Sequence, residues 1–225
     1  MMETLETKNV SIGLGQIHGK RMEIKDRILH EALALFFQKG IKSVSMDDVA
    51  SRMGMSKKTI YKWFDNKDEV VFESMQQYIQ KMEGTCCEAI NTSSNAMEAM
   101  FQIVEMVRGL MRQMHPSIFY DLQKYHPTSW RLWQEHKNNF FLKQTQEHIQ
   151  RGIKEKLFRQ DLDVEILARL RLAEVELGFD SETYPATQFD LQKVQIALLE
   201  HFMLGLATLK GHKLINHYKQ IIEEE

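Results

Sequence analysis

Proline is almost absent from this chain, with 3 in 225 residues, and glycine is sparse at 11. Alternating valine–threonine patterns are equally scarce. Strands, and the tight turns that join them, therefore have little to be built from. The only two cysteines, Cys86 and Cys87, are adjacent. Neighbours in sequence make no disulfide framework, and their scarcity suggests a reducing compartment. Long apolar runs are missing too. The most apolar stretch, Ile196 to Leu209, is interrupted by Glu200 and His201 and is too short to span a bilayer. Residues 1–20 lack the continuous apolar segment of a secretory signal. These absences lead to the expectation of a helical, cytoplasmic protein with no membrane partner.

A strong charge of one sign is also lacking, since the formal net charge is −2. Residues 1–70 hold 12 Lys/Arg against 10 Asp/Glu, and residues 71–225 hold 17 against 21. So small a basic excess argues for nucleic-acid binding only through its placement. What is present is 43% apolar and 27% charged residues, enough to bury a core.

Residues 1–21 read as a flexible N-terminal arm, with Lys20 and Arg21 placed where an arm could enter a minor groove. From Met22 to Lys39, Ile24, Ile28, Leu29, Ala32, Leu35 and Phe36 recur at helical spacing, and Gly40 closes the helix. Ser45 stands at an N-cap position with Asp48 three residues on, close to a capping box. Val49, Ala50 and Met53 give a two-turn helix an apolar face. Gly54 then breaks it, and Ser56 caps a second helix in which Ile60 and Phe64 face inward. Ala50 is small enough for close approach of the helices, Gly54 permits the sharp turn and Ile60 plugs the angle. That is the steric pattern of a helix-turn-helix over residues 45–64. Lys57, Lys58, Thr59, Tyr61 and Lys62 are left facing out, on a helix that could enter a major groove. The alternative is a lysine-rich solvated face, and the turn geometry argues against it.

The run Gly40, Ser43-Val44-Ser45, Asp48-Val49-Ala50, Met53-Gly54-Met55-Ser56-Lys57, Thr59-Ile60-Tyr61, Trp63-Phe64 and Asn66-Lys67-Asp68-Glu69 resembles the signature of TetR-type regulators. Met55 replaces the usual valine, Trp63 the second tyrosine, and Val70-Val71 stands near the usual leucine. The resemblance is specific over residues 22–82 and only architectural beyond. It implies an all-α protein: a three-helix DNA-binding domain over 22–82, then a helical ligand-binding and dimerisation domain over 83–225. It further implies that Thr59, Tyr61 and Lys67 position the DNA backbone. The DNA-contacting set expected from residues and resemblance together is Ser45, Lys57, Lys58, Thr59, Tyr61, Lys62, Trp63 and Lys67.

Downstream, helices are expected over 66–84, 97–114, 117–125, 128–151, 162–178 and 191–210, with a further one from Lys213 and a helix end or bend within 84–95. Five methionines in residues 97–114 opposite aromatic residues suit an adaptable apolar cavity. Phe101, Met106, Met111, Phe119, Tyr120, Trp130, Trp133 and Phe140 are its candidate lining. The helix from Leu191 is apolar around well over half its circumference, with Gly205 and Ala207 permitting close approach, and pairing with a second copy would cover it. Leu170, Leu177, Leu199, Phe202, Met203 and Leu206 are the expected interface.

The nine histidines are scattered, and the cysteine pair has no third ligand nearby, so no metal site is expected. A nucleophile elbow, phosphate loop or catalytic carboxylate pair is not found either, so neither an enzyme nor a cofactor is expected. The sequence therefore leads to a dimeric transcriptional repressor that reads a palindromic operator and is released by a small-molecule effector. The competing reading is a helical ligand-binding or protein-interaction module without a specific operator.

Overall fold

The computed structural model describes residues 23–219. The expected N-terminal arm and the terminal Glu223–Glu225 lie outside the described residues. Among the described residues eleven α-helices follow one another: α1 (Ile24–Lys39), α2 (Met46–Met53), α3 (Lys57–Ile60), α4 (Lys67–Thr92), α5 (Ala96–Met111), α6 (Ile118–Tyr125), α7 (Pro127–His136), α8 (Leu142–Lys154), α9 (Val164–Leu177), α10 (Leu191–Leu206) and α11 (Leu209–Lys219). A wide π-helical turn over Lys137–Phe141 joins α7 to α8, so the single long helix expected there is two helices continuous through a bulge. The protein is all-α, and the one β-type contact among the described residues is an isolated bridge between Phe158 and Ala207.

Two apolar clusters make the core. The first joins α1, α2, α3 and the start of α4 through Ile28, Phe36, Ile41, Val49, Ile60, Phe64 and Val70. Met114, Ile118, Leu122, Phe179 and Leu191 belong to it as well. The N-terminal unit is therefore sealed by residues from much later in the chain, and residue 82, where the sequence suggests a boundary, lies in mid-α4. The second cluster gathers α5, α8, α9, α10 and α11 around Met97, Ile149, Phe158, Leu199, Phe202 and Met203.

Several helix ends differ from expectation for identifiable reasons. α4 runs unbroken through Gly84 and the cysteine pair to Thr92, so the stretch expected to bend stays helical almost to its end. α10 stops at Leu206 because the Leu157–Arg159 segment pairs with the backbone there: Arg159 N–H donates to the Leu206 carbonyl (2.9 Å), and Thr208 N–H to that of Leu157 (2.9 Å). Glu176 ties α7 and its π turn to α9, accepting from Trp133 Nε1 (3.0 Å), Gln134 Nε2 (2.8 Å) and Lys137 Nζ (2.8 Å).

The joint that most directly sets the geometry lies between α6 and the α1–α2 corner. His115 N–H donates to the Phe37 carbonyl (2.6 Å), and Lys42 N–H donates to Asp121 Oδ2 (2.9 Å). Gly40 turns this corner with φ 80° and ψ 151°, a conformation that essentially only glycine adopts. A methyl group there would also lie 2.6 Å from Ser117 Oγ. Gly40→Ala is thus expected to cost about 1–3 kcal/mol of stability, measured by urea denaturation. An unchanged midpoint would show that the corner tolerates a side chain.

Candidate functional site

The reading head is fixed by its caps. Ser45 N–H donates to Asp48 Oδ2 (2.7 Å) while Ser45 Oγ accepts from Asp48 N–H (3.2 Å), completing the capping box that starts α2. Ser45 is thus engaged in holding its own helix, and its bonds to Asp48 keep that carboxyl below its usual range. Gly54 ends α2 in the left-handed region (φ 64°, ψ 31°), and Met55 N–H reaches back to the Ala50 carbonyl (3.0 Å). Ser56 then caps α3, accepting from Thr59 N–H (3.2 Å). The α-helical part of the second element is only Lys57–Ile60. It continues as a tighter turn through Trp63, whose N–H donates to the Ile60 carbonyl (2.9 Å). Val49, Ala50, Ile60 and Phe64 are buried beneath it, as the apolar spacing requires.

The outward face carries Lys57, Lys58, Tyr61, Lys62 and Trp63, all exposed. Tyr61 at 42% and Trp63 at 41% are accessible aromatic side chains. Lys57 Nζ is held 2.7 Å from Asp47 Oδ2, which raises its pKa. Among the described residues, the side-chain ammonium groups of Lys58 and Lys62 have no hydrogen-bond or ion-pair partner. Thr59 is half-buried, its hydroxyl 2.9 Å from Ser56 Oγ. Lys67 departs most from expectation. Its ammonium turns inward to the Ile41 carbonyl (2.5 Å), and burial lowers its pKa. In this conformation Lys67 fastens α4 to the α1–α2 corner and does not face outward with the other lysines.

Behind the head, segment 115–126 spans from the corner to α4. The Asp121 carboxylate accepts from both Lys42 N–H and Ser117 Oγ (3.1 Å), and His126 Nδ1 lies 2.6 Å from Asp68 Oδ1 at the start of α4. Burial lowers the His126 pKa despite Asp68, which favours a neutral ring at pH 7.

Ile118, Phe119 and Leu122 on this same segment also line a cavity of about 200 Å³ between α4, α5, α6, α7, α8, α9 and α10. Met106, Met111, Phe119 and Trp133 line it as expected. Four other expected lining residues lie elsewhere. Phe101 stacks on Tyr218 of α11 (centroids 4.4 Å), and Trp130 packs edge-on to Phe119 (5.9 Å) in the N-terminal cluster. Tyr120 is 49% exposed, and Phe140 points its ring at Phe141, which does line the cavity. The π turn explains the last exchange, because one extra residue per turn rotates Phe141 inward in place of Phe140.

Sequence reasoning missed the cavity's polar groups: Tyr78, His148, Arg171 and Gln195, together with the Cys86 thiol. Cys86 Sγ is 3.9 Å from Met106 Sδ, and burial pushes its pKa up to about 11, so it is a neutral, unreactive thiol at pH 7. His148 is 5% exposed, neither ring nitrogen has a partner, and burial lowers its pKa to about 4. Its only sequence signal was its spacing from Phe141 and Thr145 on the apolar side of α8.

The expected dimer contacts divide into two sets. Leu199, Phe202, Met203 and Leu206 are buried inside the chain at 6% exposure or less, so they are core residues and not interface. The reason is that α10 packs on α5 and α9 with the face that carries them. Leu170 at 46% and Leu177 at 40% do point outward. Ile166 (62%) and Leu204 (40%) join them on the outer faces of α9 and α10.

The model for bacterial regulatory proteins of the tetR family matches residues 28–73, from α1 into α4. The HTH-type transcriptional regulator YvaF of Bacillus subtilis is 32% identical over 105 residues, 46% of this chain and 55% of that protein. The HTH-type transcriptional repressor KstR2 of Mycobacterium tuberculosis is 23% identical over 162 residues, 69% of this chain and 77% of its own. A TetR-family regulator structure from Agrobacterium tumefaciens superposes with a TM-score of 0.68 at 17% identity, covering 82% of this chain and 97% of that one. This chain spans about half the length of the Bacillus relative, and the structural likeness concerns the fold. Residues 28–73 therefore match the tetR family, and the described fold is like that of the TetR-family regulator structure.

Because His148 holds a lower pKa folded than its ordinary 6.5, the unfolded chain takes up a proton that the folded chain refuses between pH 6.5 and 4. Stability contributed by the neutral ring is present above pH 6.5 and lost as pH falls, by about 3 kcal/mol at pH 4. His148→Leu should flatten that part of the urea-denaturation pH profile. An equal slope in both proteins would mean the ring is not buried neutral.

Proposed function

We propose that the protein is a sequence-specific DNA-binding transcriptional repressor. It acts in the cytoplasm as a homodimer on an inverted-repeat operator and is released when a small molecule fills the central cavity. The observation that carries the reading is the rigid, doubly capped helix-turn-helix of a tetR-like chain presenting unpaired Lys58 and Lys62 beside exposed Tyr61 and Trp63. The lysines suit phosphates or guanine edges, and the aromatic side chains suit backbone sugar and thymine methyl contacts. The Ser45 and Thr59 amides are taken up by the caps, so either residue would join a DNA contact through its hydroxyl, exchanging its present partner for a phosphate. Lys57 joins the lysine contacts by exchanging Asp47 for a phosphate, and Lys67 does so by leaving the Ile41 carbonyl. The name of the Mycobacterium relative, a repressor, agrees with this direction of control.

Two reading heads must enter successive major grooves about 34–36 Å apart, so the operator would be a near-palindrome and the protein a two-fold dimer. The outer stripes of α9 (Ile166, Leu170, Ala173, Leu177) and α10 (Ala197, Leu204, Gly205) support a four-helix interface.

Segment 115–126 supports a route for release, since it borders the cavity on one side and bonds to the α1–α2 corner and to Asp68 on the other. An occupant that prefers one position of α6 shifts both heads, and a differential affinity of about 1–3 kcal/mol suffices to change occupancy.

In fluorescence anisotropy with an inverted repeat obtained by selection, Lys58→Ala plus Lys62→Ala should weaken binding at least tenfold. If both lysines meet phosphates, the double variant also lowers the slope of log affinity against log salt by about 2. Unchanged affinity would contradict the DNA-reading role. Leu170→Glu with Leu204→Glu should convert a dimer to a folded monomer in sedimentation equilibrium, whereas Phe202→Ala should lower stability without dissociating it. A dimer that survives the first pair would place the interface elsewhere.

A further inference from the structure

The cavity wall is almost wholly apolar, yet one formally charged side chain lines it. Arg171 on α9 is 8% exposed, and among the described residues its side chain makes a single long contact, Nη1 to Glu174 Oε2 at 3.4 Å. A guanidinium carries five N–H donors in a planar fork, so Arg171 has far more donor capacity than Glu174 takes up. Glu174 itself is not among the lining residues. His148 lines the cavity from α8, which packs on α9, and both its ring nitrogens are buried without a partner.

The other polar groups nearby are largely satisfied. Thr145 Oγ1 donates to the Phe141 carbonyl (2.8 Å), Gln195 Nε2 to that of Val175 (2.9 Å), and Gln144 Nε2 to Glu147 Oε2 (3.3 Å). Unmet hydrogen-bonding capacity is therefore concentrated on Arg171 and His148, with the Tyr78 hydroxyl on α4 as a separate unpartnered group. Buried polar groups left unsatisfied are costly and rare, and a cationic fork and a neutral imidazole lining one cavity suit a carboxylate.

We infer that the cavity takes an apolar carboxylic acid, with Arg171 and His148 holding the carboxylate and the methionine-rich wall of α5 holding the hydrocarbon body. Arg171 pairs with one or both carboxylate oxygens, and His148 donates from whichever nitrogen carries its proton. Met100, Met106 and Met111 give the body an adaptable surface. The size also fits. A dry cavity of about 150 Å³ holds benzene, so about 200 Å³ accepts a short-chain acid of roughly eight heavy atoms.

This inference rests on the reading of the cavity as the effector site, but its test is separable from that reading. Isothermal titration of the purified full chain would compare hexanoate, 1-hexanol and hexylamine. The expected result is hexanoate binding at least tenfold more tightly than hexanol, the difference a charge-assisted bond makes, with hexylamine weakest. Arg171→Gln should bring hexanoate to within threefold of hexanol while leaving hexanol unchanged, and His148→Leu should weaken hexanoate selectively. Equal binding of acid and alcohol, or binding of none of the three probes, overturns the inference. The wild-type ranking decides it even where a variant does not fold. If hexanoate binds as expected but DNA affinity is unchanged, the carboxylate site stands and the effector reading falls. If only compounds of another class release DNA, the reverse holds.

Discussion

The Asp121 carboxylate, 3% exposed, accepts the Lys42 backbone N–H and the Ser117 hydroxyl at the point where the DNA-reading unit meets the rest of the molecule. A buried carboxylate is tolerated only when such donors surround it, and losing either partner is expensive. This bond therefore sets where α6 can sit. Around it, Gly40 provides the corner that no other residue adopts easily, and His115 adds a second backbone bond to Phe37. Ile118 and Leu122, one turn apart on α6, are shared between the N-terminal core and the cavity wall. The N-terminal unit and the cavity wall thus share these residues, and a change on one side of α6 must be accommodated on the other.

The reading head has a different logic. Its caps and buried Ala50, Ile60 and Phe64 fix the backbone without using Lys58 or Lys62, which leaves those charges available for DNA. Lys57 and Lys67 are both engaged, one with Asp47 across the turn and the other with the Ile41 carbonyl. Each can join a DNA contact only by leaving its present partner, so their net contribution to affinity is smaller than their charge suggests. Lys67 is the more consequential, because it bonds to the same corner that Asp121 holds.

Much of this was legible in the chain. Helical spacing identified nearly every helix, and the offsets of Ser45, Asp48, Ala50, Gly54, Ser56 and Ile60 specified the turn and its caps before any coordinates. These are local patterns, carried by residues a few positions apart. What could not be read was long-range. Nothing near Leu199, Phe202 or Met203 says which side of an apolar helix faces its own chain and which faces a second copy. The exposed Ile166 and Leu204 stripes emerge only once α5 and α9 have claimed the other faces. The cavity's polar groups were hidden for a related reason: Arg171 and His148 sit among charged neighbours in sequence and become unusual only when burial removes water. The inward rotation of Phe141 depends on one π turn that periodicity does not announce.

The central claim is that DNA and the cavity communicate through α6. Binding linkage is reciprocal, so DNA alone should be felt in the cavity wall without any effector present. The direct measurement is amide hydrogen exchange of the full chain with and without a selected inverted-repeat duplex. The account predicts altered protection at Lys42 and through Ile118–Tyr125, in addition to the reading head. Changes confined to residues 45–67, with α6 and the Lys42 amide unmoved, would contradict it.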